Sequence, residues 1–264
     1  MSRNLFIVMK RELKRFSFLV IFFLPALLLS SSHALESVEQ IIRDLDAHYY
    51  YPQQHGLKKL SVQIDWEQLD VVSGSGRYLK IPPVTFFWEK SAGSKGVFTL
   101  ADSSVEVSLE RKREILQMLQ NYQEVVIPQT LAEKLSNYRG QIKTAKKGRR
   151  LLAFSAPNPG AAVSKYDLLV DLEQKNVKNF WMERNAAPVS IKSDVRYTRK
   201  EGKWLTAESQ SKFQVDGVDY SETTEFVYRR IDNLWMMGKM TQIVKTNDRI
   251  IQSFIFRFRD YQIN

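Results

Sequence analysis

Phe213-Gln214-Val215-Asp216-Gly217-Val218-Asp219-Tyr220 sets an Asp-Gly pair between two runs in which apolar and polar residues alternate. Both central residues of a two-residue hairpin turn need a positive φ, which Asp-Gly adopts readily, so the stretch predicts two antiparallel strands. The alternation continues outward on both sides. Upstream, Trp204 to Val215 follows a Glu201-Gly202 turn, and before it Val189, Ile191, Val195 and Tyr197 alternate with Ser190, Lys192, Asp194 and Arg196. Tyr166, Leu168, Val170 and Leu172 alternate likewise, Val177 to Glu183 continues the series, and Leu151 to Ala156 opens it. Downstream, Tyr220, Thr224, Phe226 and Tyr228 share one side, and Asp232-Asn233 and Asn247-Asp248 set off two last strands, Leu234 to Lys245 and Ile250 to Tyr261. So many strands at short spacing predict a mainly β (α+β) fold on a large antiparallel meander, as one curved sheet or a partly closed barrel.

The first half mixes strands with helices. Ser37 and Gln40 make a capping-box start, after which Val38, Ile41, Ile42, Leu45 and Tyr49 recur at helical spacing until Pro52. Leu60, Val62, Ile64 and Trp66 then alternate as one side of a half-buried strand. Ser73 to Gly76 reads as a turn, Pro82-Pro83 as a break, and Thr85 to Trp88 with Val97 to Leu100 as a hairpin around Ser91 to Ser94. Leu109, Ile115, Leu116, Leu119 and Tyr122 fall on one helix face, and a Thr130 to Glu133 capping box opens a short helix carrying Leu131, Leu135 and Tyr138.

Residues 1–34 have the order of a cleavable signal peptide. Arg3, Lys10, Arg11, Lys14 and Arg15 precede an uncharged stretch from Phe16 to Leu29, and Ser32-His33-Ala34 supplies small residues where a signal peptidase cuts, giving a new start at Leu35. Met9 is an alternative translation start. The apolar stretch falls short of the about 20 residues that a spanning helix needs, and Pro25 interrupts it. Residues 35–264 are then expected to form a single exported domain, working in the periplasm, with enough chain for one sizeable core.

The chain has no cysteine, which excludes disulfides, a thiol nucleophile, Cys-ligated metal and a thiol-linked lipid anchor. Its net charge is +10, and the densest basic run is Lys143, Lys146, Lys147, Arg149 and Arg150. In an exported chain that run predicts a solvated loop, with passing contact to anionic lipid at a membrane surface as the alternative, and not a nucleic-acid site.

Large apolar residues on the strands include Trp66, Phe86, Trp88, Phe98, Trp235, Met236, Met240, Phe254, Phe256 and Phe258, with Phe154, Trp181, Phe213, Phe226 and Met237 beside them. Each alone reads as core. As a set, the first ten are the candidates for lining an apolar ligand site on the concave face of a curved sheet, where methionines adapt to varied apolar partners. Leu234 to Thr241 is apolar on both sides near Trp235, which predicts a strand buried twice or lying partly under a helix.

Nothing composes a catalytic or metal site, and no cofactor is expected. His48 and His55 flank Tyr49-Tyr50-Tyr51-Pro52 at a spacing foreign to a helical two-His metal site. Asp167 and Asp171 project from a wet strand face with no apolar setting to separate their pKa values, so they read as solubilising charges. Tyr49-Tyr50-Tyr51 reads as packing of the helix end, with a lip over a cavity as the alternative.

An opening helix, the strand Leu57-Lys58-Lys59-Leu60-Ser61-Val62-Gln63-Ile64, helices in mid-chain and the close Phe254-x-Phe256-x-Phe258-x-Asp260-Tyr261-Gln262-Ile263-Asn264 together resemble the LolA-like lipoprotein-sorting group. The resemblance implies an unclosed β half-barrel whose N-terminal and mid-chain helices cover the concave face. It also implies a periplasmic carrier, not an enzyme, that holds a lipid, a lipoprotein acyl chain or another apolar ligand, in outer-membrane lipoprotein sorting. The alternative from a different class is a periplasmic protein-interaction or envelope-sensor domain without lipid cargo.

Overall fold

Asp216 and Gly217 both take positive φ, +50° and +78°, and bring Val215 opposite Val218, as the sequence requires of a two-residue hairpin. Glu201-Gly202 and Asn247-Asp248 turn the same way. The structure, a computed structural model, describes residues 37–92, 95–100 and 108–264. The leader expected over residues 1–34 lies outside them.

Twelve strands follow in chain order: β1 (Lys59–Leu69), β2 (Tyr78–Glu89), β3 (Val97–Leu100), β4 (Arg139–Lys146), β5 (Arg149–Ser155), β6 (Val163–Asp171), β7 (Asn176–Arg184), β8 (Ser190–Lys200), β9 (Lys203–Val215), β10 (Val218–Ile231), β11 (Leu234–Thr246) and β12 (Arg249–Ile263). All belong to one antiparallel sheet, ordered β3-β2-β1-β12-β11-β10-β9-β8-β7-β6-β5-β4. The last strand returns to pair with the first, while β3 and β4 remain as unpaired edges, so the sheet does not close into a barrel. Four helices accompany it: α1 (Val38–Asp46), α2 (Leu109–Leu119), α3 (Gln123–Val126) and α4 (Leu131–Leu135). Thr130 and Glu133 form the capping box that opens α4, and the Ser108 hydroxyl caps α2 by accepting from Arg111 N.

The helices divide one face of the sheet into two cores. Val38, Ile41, Ile42 and Leu45 of α1 join Leu135 of α4 over Leu152, Phe154, Leu168, Val170 and Val177 of β5 to β7. Ile115 and Leu119 of α2, with Val126 and Ile127, lie over Leu60, Val62, Ile64, Trp66, Val84, Phe86, Phe98, Met240, Phe254, Phe256 and Phe258. Burying each of these large side chains contributes about 1.5–3 kcal/mol, so both helical groups are held chiefly by apolar contact.

The tyrosine triplet pins α1 to the sheet. Tyr49 donates to the Tyr197 hydroxyl at 3.0 Å and accepts from Val177 N at 2.8 Å, and Tyr197 donates to Val177 O. The Tyr50 hydroxyl accepts from Trp235 N, and Tyr51 donates to Asp46 Oδ1 at 2.6 Å. Burial pushes the Tyr49 hydroxyl up to about 12 and raises those of Tyr51 and Tyr197, which keeps all three neutral and able to donate. This is packing of the helix end.

Three local expectations need correction. Pro82-Pro83 does not break β2: the β1 to β2 register slips between Ile64 and Trp66, so the prolines sit at a bulge beyond the reach of β3, where no ladder N–H is needed. The basic run is not a loop, because Lys143 and Lys146 lie on edge strand β4 and Arg149 and Arg150 on β5, with only Lys147 and Gly148 turning between them. On β11 the register slips opposite Val227 and Tyr228, skipping Gly238, and this bulge lets the adjacent Met236 and Met237 both be buried.

Candidate functional site

Strand register carries three rows of side chains across the helix-bearing face, from the α1 core to the α2 core. The first runs Met182, Ile191, Phe213, Tyr220 over β7 to β10. The second runs Phe180, Ser193, Ser211, Glu222, Val244, Gln252 as far as β12, and the third runs Val195, Ser209, Thr224, Gln242, Phe254. Because strand side chains alternate faces, the intervening residues Lys192, Asp194, Gln210 and Lys212 point the other way. With α1 and α4 on one flank and α2 and α3 on the other, Met182, Ile191, Phe213 and Tyr220 stay partly exposed between them. The result is a groove across the middle of the sheet, walled by two packed cores.

Its floor is amphipathic. Phe213 and Tyr220 stack with centroids 5.6 Å apart, an apolar platform at one end. Beside it, the hydroxyls of Ser193 and Ser211 lie 2.7 Å apart. Glu222 comes next, paired across the ladders with Ser211 and Val244. Burial raises its carboxyl above the usual carboxylate range, and hydrogen bonds to Gln242 and Thr224 only partly offset that. Tyr122, in the single helical turn between α2 and α3, donates to Gln242 Oε1 at 2.6 Å, and its own hydroxyl is raised by burial and by the nearby Glu222 charge.

The predicted lining residues fall elsewhere. Trp66, Phe86, Phe98, Met236, Met240, Phe254, Phe256 and Phe258 come together in the α2 core, each at most 5% exposed, with Trp88 packed partly buried against them. Trp66 stacks on Phe256 at 5.7 Å, and Tyr122 packs on Phe256 from above. Trp235 stands apart, its ring under Lys200 and its indole N–H donating to Glu201. Phe213 and Phe226 do lie on the groove face, whereas Trp181 shares the opposite face with Lys192. Glu222, Gln242, Ser193 and Ser211 were not foreseen. The available signal was Glu222 itself, a carboxylate filling the place between Tyr220 and Thr224 in an otherwise apolar alternation.

His48 accepts or donates at Asp44 O as a helix-end residue, and His55 stacks on Tyr50. Asp167 faces Lys143 and Lys165, while Asp171 accepts from the backbone N–H of Glu173 and Gln174 in a turn, so the two carboxylates serve separate local roles. Among the described residues no group of three or more His, Asp or Glu is placed to hold a metal ion. A shallow cleft of about 600 Å³ at the turn ends of β8 to β11 gathers Lys192, Lys212 and Lys245 with Asp219 and Asp248.

No protein-family model matches the sequence, and neither does any curated protein. Among solved structures the chain is similar to a domain assigned to outer membrane lipoprotein sorting from Vibrio parahaemolyticus, at 10% identity and a TM-score of 0.39 over 85% of this chain and 91% of that one. It is also similar to a LolA superfamily protein from Nitrosomonas europaea, at 8% identity and a TM-score of 0.33 over 86% and 94% of the two chains. A DUF1329 family protein from Desulfovibrio piger aligns at 9% identity and a TM-score of 0.38 over 86% and 93%.

Proposed function

We propose that residues 35–264 form a single carrier or binding domain that works in the periplasm after loss of the leader 1–34. It holds a lipid, a lipoprotein acyl chain or another long apolar molecule in the groove between the two helix-covered cores. The observation that carries this reading is the partly exposed apolar floor of Met182, Ile191, Phe213 and Tyr220 on a face whose flanks are fully packed. Each ligand methylene removed from water there contributes about 0.8 kcal/mol, so one acyl chain is held without chemistry.

The segment from α2 to α3 is the lid. It rests on the predicted lining residues through apolar contacts and on the groove floor through Tyr122, so lifting it would extend the groove over Trp66, Phe254 and Phe256. Release then needs only lid motion. A photoactivatable fatty acid should label the segments around Ile191, Phe213 and Tyr220. Labelling confined to other surfaces would contradict the groove.

Edge strand β4 favours protein interaction as a second reading, since its outer backbone has no neighbouring strand and its residues Arg139, Lys143 and Lys146 are basic. Crosslinking in cells separates the two, a stable partner without co-purifying lipid supporting the second. The lysine cleft at Lys192, Lys212 and Lys245 is the surface best suited to passing contact with anionic lipid.

A further inference from the structure

Glu222 is the one carboxylate of the groove rows, and nothing in the packing of two apolar cores requires it. Among the described residues no Lys or Arg forms an ion pair with it, although most other acidic side chains of the sheet have one, as Asp167, Glu183 and Glu208 do. Its partners are neutral: Gln242, whose oxygen is already occupied by Tyr122, and Thr224 at a long 3.4 Å. A half-buried carboxyl in that position costs stability unless a positive partner arrives. The neighbouring Ser193 and Ser211 hydroxyls add acceptors, and the Phe213–Tyr220 stack offers the electron-rich ring faces that attract cations.

We infer that Glu222 is the polar anchor of the groove, binding the ammonium head of an amphipathic ligand whose apolar chain lies along Ile191, Phe213 and Tyr220. This rests on the groove being a ligand site. It specifies which ligand class the groove prefers. An ammonium donates to the carboxylate and to the serine hydroxyls, whereas a fatty-acid carboxylate placed there would face a like charge with no cation to relieve it.

The test compares dodecylammonium with dodecanol, probes of equal chain length that differ in head charge, by calorimetric titration of the full mature chain. A charge-assisted hydrogen bond in a part-buried site gives the wild type at least about tenfold tighter binding of dodecylammonium. Glu222→Gln should bring that ratio close to one. In the wild type the ratio should also collapse as the pH is lowered and Glu222 takes up its proton, a measurement that needs no variant. A wild-type ratio near one, or a ratio that persists in Glu222→Gln and at low pH, overturns the anchor. If dodecanol binds but dodecylammonium binds no tighter, the anchor alone fails; if neither probe binds, the groove fails with it.

Discussion

The Tyr122 hydroxyl donates to Gln242 Oε1 at 2.6 Å, and this is the polar contact by which the segment between α2 and α3 holds the floor of the groove. Everything else that fastens the segment to the sheet is apolar, with Ile115, Leu119 and Val126 in one core with Trp66 and Phe256. A lid held by nonpolar burial and one directional contact can lift without leaving charges unpaired.

Tyr122→Phe should therefore loosen the lid while keeping its aromatic contact with Phe256. Loss of the hydrogen bond costs about 1 kcal/mol, read as a lower urea midpoint. Amide exchange across residues 109–126 should quicken more than exchange in β5 to β7. Unchanged exchange in the lid would show that Tyr122 does not hold it.

Asp46 organises the other flank. Its carboxylate accepts from Leu131 N and Ala132 N at 2.8 and 2.9 Å as well as from Tyr51, tying the end of α1 to the start of α4. Asp46→Ala leaves three donors without a partner and should cost about 3 kcal/mol in urea unfolding. A loss below about 1 kcal/mol would mean the clamp is incidental.

Core and groove aromatics should separate cleanly. Phe256→Ala opens a cavity beneath Trp66 and should destabilise by about 3–5 kcal/mol. Phe213→Ala, at a partly exposed position, should cost less than about 2 kcal/mol yet weaken binding of an apolar probe, measured by fluorescence titration. The reverse order would place the ligand site in the α2 core.

Glu222 should leave a mark on the pH dependence of stability. Its folded carboxyl titrates above the unfolded value, so its contribution is most favourable below the unfolded pKa and is lost as pH rises through the raised folded value. The groups that face it are Gln242, Thr224, Tyr122 and Ser211, none of which changes charge in that window. Glu222→Gln should therefore flatten this part of the curve and be the more stable protein at neutral pH. Equal slopes for the two proteins would contradict the buried setting of the carboxyl.

Period-two alternation from Leu151 to Tyr261 and the Asp-Gly, Glu-Gly and Asn-Asp turns made the meander legible, because each is a local signal. The return of β12 to pair with β1 was not, since it joins residues nearly 200 positions apart and no local pattern encodes it. The same limit misplaced the site. Hydrophobicity identifies what is buried but not what buries it, so Trp66, Phe86 and Phe256 could be read as a lining until α2 was seen to fill the space above them. The groove is marked instead by interruptions of the apolar pattern, Ser193, Ser211 and Glu222, which only the register brings side by side.

The central claim is that the groove carries an apolar chain, and native mass spectrometry of the mature protein purified without detergent tests it most directly. The account predicts a bound species of lipid mass, or, in protein stripped by organic solvent and refolded, saturable uptake of a fluorescent fatty acid that Phe213→Ala weakens. Protein that is empty as isolated and takes up no fluorescent fatty acid would contradict it.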